Sequence, residues 1–199
     1  MNKIKSIVLS VFEKKSTDVI SEKSQIRQKI RQKKQQISDK EKALDSNAVF
    51  EKIEALPEFQ EANTVLMYWS MNDELPTHSF IVKWSKMKQM LLPVVKEDDM
   101  LIMPFSAKEN LKKGSYGIWE PETQREYINK IDLVIVPGIA FDKKKSRLGR
   151  GKGYYDRYFM NKRIKKIGIG FDFQLLDEVP TASFDIKMDK VITPSHIVE

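Results

Sequence analysis

The sequence contains no cysteine among its 199 residues, which excludes disulfides, thiolate nucleophiles and zinc sites built from cysteine. Histidine is nearly as scarce, because His78 and His196 are the only two and lie far apart in the chain. Residues 114–117 do not match a nucleophile elbow, so hydrolases and transition-metal enzymes are poor candidates. No stretch approaches the ~20 apolar residues that cross a bilayer. We therefore expect a soluble protein, and the lack of cysteine is compatible with a cytoplasmic location.

Glycine and proline are limited to eight each, and 41% of the residues are hydrophobic, which suits one globular domain with a substantial core. We expect that domain over residues 21–199. Residues 1–20 are interpreted as an N-terminal extension, because the apolar run at residues 7–12 is too short for a signal peptide. The net charge of +7 indicates anionic partners, such as nucleotides, polyglutamylated metabolites or nucleic acid, although a solvated lysine surface explains the same charge.

The order of polar, amphipathic and apolar segments predicts an α/β fold. Ser38 and Glu41 form a capping-box pattern that begins a helix ending at Pro57. The expected helices cover residues 21–36, 39–56, 77–86, 122–129 and 154–165, and the expected strands cover residues 64–69, 90–92, 100–103, 131–136 and 167–171. We predict a single-domain, three-layer sandwich with a mostly parallel sheet flanked by helices and a small β-hairpin.

The segment RLGRGKGYYD at residues 147–156 carries the clearest chemical pattern. Its three glycines alternate with Arg150 and Lys152 just before a predicted helix, so that backbone N–H groups and cations can converge on one ligand. This arrangement suits a polyphosphate, although neither the Walker nor the Rossmann pattern is matched, and a flexible basic turn is the alternative. Asp156 can hold Mg²⁺ beside phosphate oxygens, with Asp185 or Asp189 as a second carboxylate, although each alone suits a surface acid or cap.

Together with VPGIAFD at residues 136–142, this loop resembles the signature of the 5-formyltetrahydrofolate cyclo-ligases, also called methenyltetrahydrofolate synthetases. Further similarity lies in KSQIR at residues 23–27, SMNDE at 70–74 and GIWEP at 117–121. The resemblance extends from about residue 22 to residue 194. The sequence departs from the family pattern at Lys145, where relatives commonly carry a glycine.

The resemblance implies an α/β sandwich and an ATP-dependent enzyme that uses Mg²⁺ to convert 5-formyltetrahydrofolate into 5,10-methenyltetrahydrofolate, with release of ADP and phosphate. It implies metal ligation by Asp156 and Asp185. It implies ATP binding by Lys23, Arg27, Arg147, Leu148, Gly149, Arg150, Gly151, Lys152, Gly153, Tyr154 and Tyr155, and folate contacts by Arg27, Trp69, Glu74, Arg150, Gly151, Lys152 and Tyr155. Phosphoryl transfer depends on positioned cations, so we expect Arg150 and Lys152 to be catalytic.

A pterin needs an aromatic wall and a carboxylate for its N–H edge, which makes Trp119, Trp69 and Tyr155 candidate walls and Glu74 the candidate carboxylate. Each aromatic, taken alone, also suits a core position. Two other functions compete: a nucleic-acid-binding module, suggested by the basic helix and the net charge, and an ATP-binding regulatory protein without catalysis. We favour ATP and reduced folate, which can be polyglutamylated, as partners of a monomer or weak homodimer, and expect no nucleic acid or membrane partner.

Overall fold

The structure of the chain is a computed structural model. It describes residues 2–114, 117–122 and 125–199, with side chains from Asp18 onward. The helices in these ranges are α1 (Asn2–Lys34), α2 (Asp39–Ala55), α3 (Pro57–Glu61), α4 (His78–Trp84) and α5 (Tyr154–Phe159). The strands are β1 (Thr64–Leu66), β2 (Gln89–Lys96), β3 (Asp99–Pro104), β4 (Leu111–Lys113), β5 (Trp119–Pro121), β6 (Leu133–Pro137), β7 (Ala140–Asp142), β8 (Arg147–Leu148), β9 (Lys165–Ile169), β10 (Leu175–Leu176), β11 (Lys190–Ile192) and β12 (Ile197–Val198).

The largest sheet has the strand order β12-β11-β9-β6-β1-β2-β3. Its inner strands β2, β1, β6, β9 and β11 are parallel, and β3 and β12 are antiparallel edges. The chain passes from β1 outward to β2, but from β6 outward in the opposite direction to β9 and β11. The carboxyl ends of β1 and β6 therefore flank the point where the winding direction reverses, which is where open α/β sheets bind their ligands.

Both faces of this sheet are covered. On one face, α2 and α4 contribute Ile53 and Phe80 to a core that includes Val65 and Ile135 of the strands. On the other face, Phe159 of α5 belongs to a second cluster of strand residues. The C-terminal half of α1 packs its buried Ile30 against the small sheet of β10, β7 and β8. Helix α1 therefore lies beside the segment that connects β6 to the glycine-rich residues.

The predicted fold class is confirmed: a mixed α/β structure with a mostly parallel sheet between helices, and an antiparallel hairpin of β2 and β3 at its edge. The predicted capping box is also present, because the Ser38 hydroxyl accepts from Glu41 N and the Glu41 carboxylate accepts from Ser38 N. In the described residues, none of the helices combines the length and apolar character needed to cross a membrane.

Two helix predictions were wrong. The helix expected at residues 122–129 is not formed over residues 125–129. Tyr127 N instead donates to Ile102 O of β3 at 2.7 Å, which holds this segment along the sheet edge. Helix α5 ends at Phe159 rather than at residue 165. Asn161 adopts a left-handed conformation with φ 63° shortly after the end of α5, and asparagine is one of the residues that commonly stops a helix in this way.

Candidate functional site

The glycine-rich loop at residues 149–153 follows β8 and leads into α5. Gly151 and Gly153 have φ values of 101° and 70°, which only glycine adopts at little cost. A β-carbon at Gly149 would lie 2.8 Å from Nη1 of Arg147, so this glycine permits the close approach of the arginine. The backbone conformation of the loop therefore favours glycine at positions 151 and 153, whereas Gly149 leaves room for the Arg147 side chain.

A buried ion pair closes the base of the loop. Arg147 donates from Nη2 to Oδ2 of Asp156 at 2.9 Å and from Nη1 to the carbonyl of Pro137 at 3.3 Å. The other Asp156 oxygen accepts from Ile186 N at 3.2 Å. The side chain of Arg147 is only 4% exposed, and its Nε is buried without a hydrogen-bond partner. Arg147 thus joins the end of β6 to the start of α5.

Helix α1 supplies two cations to the same region. Lys23 forms an ion pair with Asp185, whose carboxylate also accepts from Ala182 N. One turn later, Arg27 donates from Nε to the carbonyl of Gly149 at 3.0 Å. Burial lowers the pKa of Arg27, and the charge of Asp185 partly offsets this effect. Lys23 and Arg27 therefore project from one face of α1, as their spacing of four residues predicts, and Arg27 contacts the glycine-rich loop.

The loop after β1 contacts the glycine-rich loop directly. Arg150 donates from Nη2 to Asp73 at 2.6 Å and to Glu74 at 2.9 Å. Lys34 of α1 lies 3.5 Å from the second oxygen of Asp73, and the second oxygen of Glu74 accepts from Met71 N. Although burial alone would raise the pKa of Asp73, the positive charges of Lys34 and Arg150 lower it overall. Two carboxylates and two cations are thus gathered at the switch point of the sheet.

The aromatic candidates occupy different places. Tyr155 lies beneath Arg147, with its ring 5.4 Å from the guanidinium carbon, and burial raises its pKa. Trp69 stacks on His78 at 4.1 Å between ring centroids and on Phe105 at 5.7 Å. Trp119 is half-exposed on β5, opposite Lys113 of β4. In the described part of the chain, the contacts that join α1, residues 70–74 and the glycine-rich loop include neither tryptophan.

The sequence model of the 5-formyltetrahydrofolate cyclo-ligase family matches residues 19–194 of the chain. The chain belongs to this family. A probable 5-formyltetrahydrofolate cyclo-ligase of Caenorhabditis elegans is 33% identical, with 85% of this chain and 91% of the relative covered. The 5-formyltetrahydrofolate cyclo-ligase of Haemophilus influenzae is 27% identical, with 85% and 96% covered. The NMR structure of Aquifex aeolicus 5,10-methenyltetrahydrofolate synthetase superimposes with a TM-score of 0.79 at 30% identity, covering 88% of this chain and 91% of that one.

The carboxylates predicted to bind a metal in this cyclo-ligase family member lie on converging segments. Asp156 accepts from the backbone of Ile186, the neighbour of Asp185. Asp189 instead accepts from Lys166 N at 2.7 Å, on β9, whereas Asp185 adjoins the residue that donates to Asp156. Among the described residues, no group of three or more acidic or histidine side chains is arranged around one metal position. Two carboxylates suit Mg²⁺, which usually takes one or two protein carboxylates and completes its shell with phosphate oxygens and water.

Three residues of the candidate site were not predicted from the sequence. Lys34 lies on α1 seven residues after Arg27. This spacing returns to the same helix face, so the sequence could have predicted that Lys34 lies on the same side of α1 as Arg27. Tyr68 is buried, and its pKa is raised by that burial and by the charge of Glu74, which lies near it. Arg157 donates to the carbonyls of Lys152 and Asp98, joining the loop to the β2–β3 turn. Nothing in the local sequence distinguishes Tyr68 or Arg157.

Proposed function

We propose that the chain uses ATP and Mg²⁺ to convert 5-formyltetrahydrofolate into 5,10-methenyltetrahydrofolate, with release of ADP and phosphate. The formyl oxygen attacks the γ-phosphorus of ATP, and the bond from that phosphorus to the β–γ bridging oxygen breaks to release ADP. N10 then attacks the activated formyl carbon and loses its proton. The carbon–oxygen bond breaks, phosphate leaves and the five-membered ring is closed. No electrons are gained or lost in either step.

The observation that carries this proposal is the meeting of three segments at the carboxyl ends of β1 and β6. Helix α1 brings Lys23 and Arg27, the loop after β1 brings Asp73 and Glu74, and the glycine-rich loop brings Arg150. A nucleotide needs cations and backbone donors, and a pterin needs an acceptor for its N–H edge. Arg27 contacts the glycine-rich loop, and Arg150 of that loop contacts Asp73 and Glu74, so the two sets of groups are joined.

On the nucleotide side, Lys23, Arg27, Arg150 and Lys152 would neutralise phosphate oxygens, which is most of what phosphoryl transfer asks of a protein. Helix α5 has only six residues, so side-chain cations must supply more of this charge than the helix dipole does. Asp156 and Asp185 are the residues we propose to hold Mg²⁺, which would add positive charge at the phosphate oxygens when bound. Arg147 would act indirectly, by fixing Asp156.

On the folate side, Glu74 would accept from the pterin edge, beside Tyr68 and Tyr155. Arg150 is held by Asp73 and Glu74, so it must share or leave these carboxylates to reach a phosphoryl group. Lys34 remains beside Asp73 when that happens. Tyr68 lies near Glu74 and is a further candidate for a pocket wall, beside Trp69. Trp119 and Trp69 remain predicted folate contacts, and a glutamate tail on the substrate gives the basic surface a use.

The direct test is to incubate the purified protein with 5-formyltetrahydrofolate, ATP and Mg²⁺ and to follow the ultraviolet absorbance of the methenyl product. We expect ADP and phosphate to form in a one-to-one ratio with that product. Formation of AMP and pyrophosphate would contradict phosphoryl transfer to the formyl oxygen. Turnover of folate without nucleotide would contradict the role assigned to the glycine-rich loop.

A further inference from the structure

Phe184 exposes an aromatic ring beside the proposed nucleotide site. Phe184 is 65% exposed, whereas every other phenylalanine whose side chain the structure describes is buried or half-buried. The ammonium of Lys23 lies 5.8 Å from the ring centroid, within the range of a cation–π contact. Lys23 also forms an ion pair with Asp185, which directly follows Phe184 in the chain. The exposed ring therefore borders a cation that we assign to the phosphates.

The turn that carries Phe184 is held by two hydrogen bonds. Ala182 N donates to Oδ2 of Asp185 at 2.7 Å, and Asp185 N donates to the carbonyl of Ala182 at 3.1 Å. Asp185 is tied in addition to Lys23 of α1. The backbone on both sides of Phe184 is thus fixed relative to the helix that lines the glycine-rich loop.

A second exposed apolar side chain, that of Ile20, lies on the face of α1 that carries Lys23 and Arg27. Ile20 is 65% exposed and precedes Lys23 by three residues and Arg27 by seven, which are the spacings of one helix face. Along this face the chain therefore presents an apolar residue, then Lys23, then Arg27, whose Nε contacts the carbonyl of Gly149. Along α1, in the direction away from the glycine-rich loop, the cations that we assign to the phosphates are therefore followed by apolar surface.

We propose that Phe184 and Ile20 form the wall on which the adenine base of ATP stacks. This inference rests on the proposed ATP-dependent function. A nucleoside triphosphate has a flat apolar base at one end and a chain of anionic phosphates at the other. The face that runs from Phe184 and Ile20 through Lys23 to Arg27 and Gly149 has the same order of chemistry. Stacking on a ring recognises the face of a base, so this wall should discriminate weakly between purines.

The test compares ATP with inorganic tripolyphosphate, which carries the phosphates without the base. Calorimetric titration of the Mg²⁺ complexes should show that Phe184→Ala weakens ATP binding by at least about tenfold, within the range for loss of one base–aromatic stack. The affinity for tripolyphosphate should change less than about twofold in the same variant, because tripolyphosphate has no base to stack. Phe184→Trp should retain ATP affinity, and Ile20→Ala should weaken ATP binding by a smaller factor than Phe184→Ala.

Ile128→Ala is the matched control, because Ile128 is an 84% exposed apolar residue outside the proposed site. It should leave the affinities for both ligands unchanged. Unchanged ATP affinity in Phe184→Ala would overturn the stacking wall while leaving the ATP-dependent function intact, and so would an equal loss for ATP and tripolyphosphate. If the unaltered protein bound neither ligand, the proposed function itself would fail.

Discussion

The lysines at positions 143 and 144 and the arginines at positions 147 and 150 lie within eight residues of one another, yet the fold treats them differently. Lys143 is exposed, and Lys144 forms an exposed ion pair with Glu178 at 2.7 Å. Arg147 is almost completely buried against Asp156, and Arg150 bridges two carboxylates on another loop. Positive charge is similar in the two regions, so burial and partners decide what each cation does. The following predictions test that difference.

The largest effect should follow from Arg147→Ala. This change leaves Asp156 without its cation in a largely buried position, and removal of one partner of a buried pair typically costs ~3–5 kcal/mol. Because Asp156 retains some exposure and the Ile186 N–H, we expect a loss near the lower end, about 3 kcal/mol in the free energy of unfolding by urea. Lys144→Ala is the control and should cost at most ~1 kcal/mol. Equal losses would mean that Arg147 is not buried in solution.

The next effect concerns catalysis rather than stability. Arg150→Ala and Lys152→Ala should each lower kcat/KM by at least about tenfold, which is ~1.4 kcal/mol of transition-state stabilisation. Lys152 is exposed, so Lys152→Ala should change the free energy of unfolding little. Arg150→Ala also leaves Asp73 and the mostly buried Glu74 without this cation, so it should lower the free energy of unfolding as well. Lys143→Ala and Lys144→Ala lie outside the glycine alternation and should retain full activity. If all four variants lose the same small amount, activity follows total charge and the loop has no special role.

A smaller effect should appear as coupling between Glu74 and Arg150. Separation in sequence suggests that Glu74→Gln affects folate alone, but the 2.9 Å contact with Arg150 links the two loops. We expect Glu74→Gln to raise the KM for folate and to change nucleotide affinity as well. A double-mutant cycle that combines Glu74→Gln with Arg150→Ala, measured as the free energy of nucleotide binding, should give a coupling energy of about 0.5–3 kcal/mol. Strict additivity would contradict a shared network, and Asp99→Asn, on β3, serves as a distant control for loss of one charge.

The elements that were predicted correctly are those whose local sequence agrees with their surroundings. The Ser38 and Glu41 capping box needs only residues three apart, and the strands of the central sheet are continuous apolar runs. The expected helix at residues 122–129 failed because helix propensity is a weak preference, and the backbone of Tyr127 pairs with β3 instead. Long-range hydrogen bonds of this kind leave no local pattern.

The candidate site shows the same division. The glycine-rich loop and the spacing of Lys23 and Arg27 could be predicted, because glycine frequency and helix periodicity are local properties. The burial of Arg147 could not, since its partners come from the end of β6 and from α5. Nor could the different neighbours of Tyr68 and Trp69, which are adjacent in sequence but lie near Glu74 and His78 respectively.

The smallest expected effect belongs to Lys145, which sharpens the comparison between the lysine run and the loop it precedes. Lys145 has φ 62°, and a side chain in the left-handed region costs roughly 1–2 kcal/mol that glycine avoids. Its backbone N–H donates to the Asp142 carbonyl and its carbonyl accepts from Met188 N, and glycine preserves both bonds. Because glycine also loses more conformational entropy on folding, Lys145→Gly should stabilise the protein by only about 0.5–1 kcal/mol. Lys143→Gly, at a position without positive φ, should instead destabilise it by a similar amount. If urea unfolding shows the same loss for both glycine variants, the left-handed turn at Lys145 is not formed in solution, and the path of the chain into the glycine-rich loop must differ from the one described.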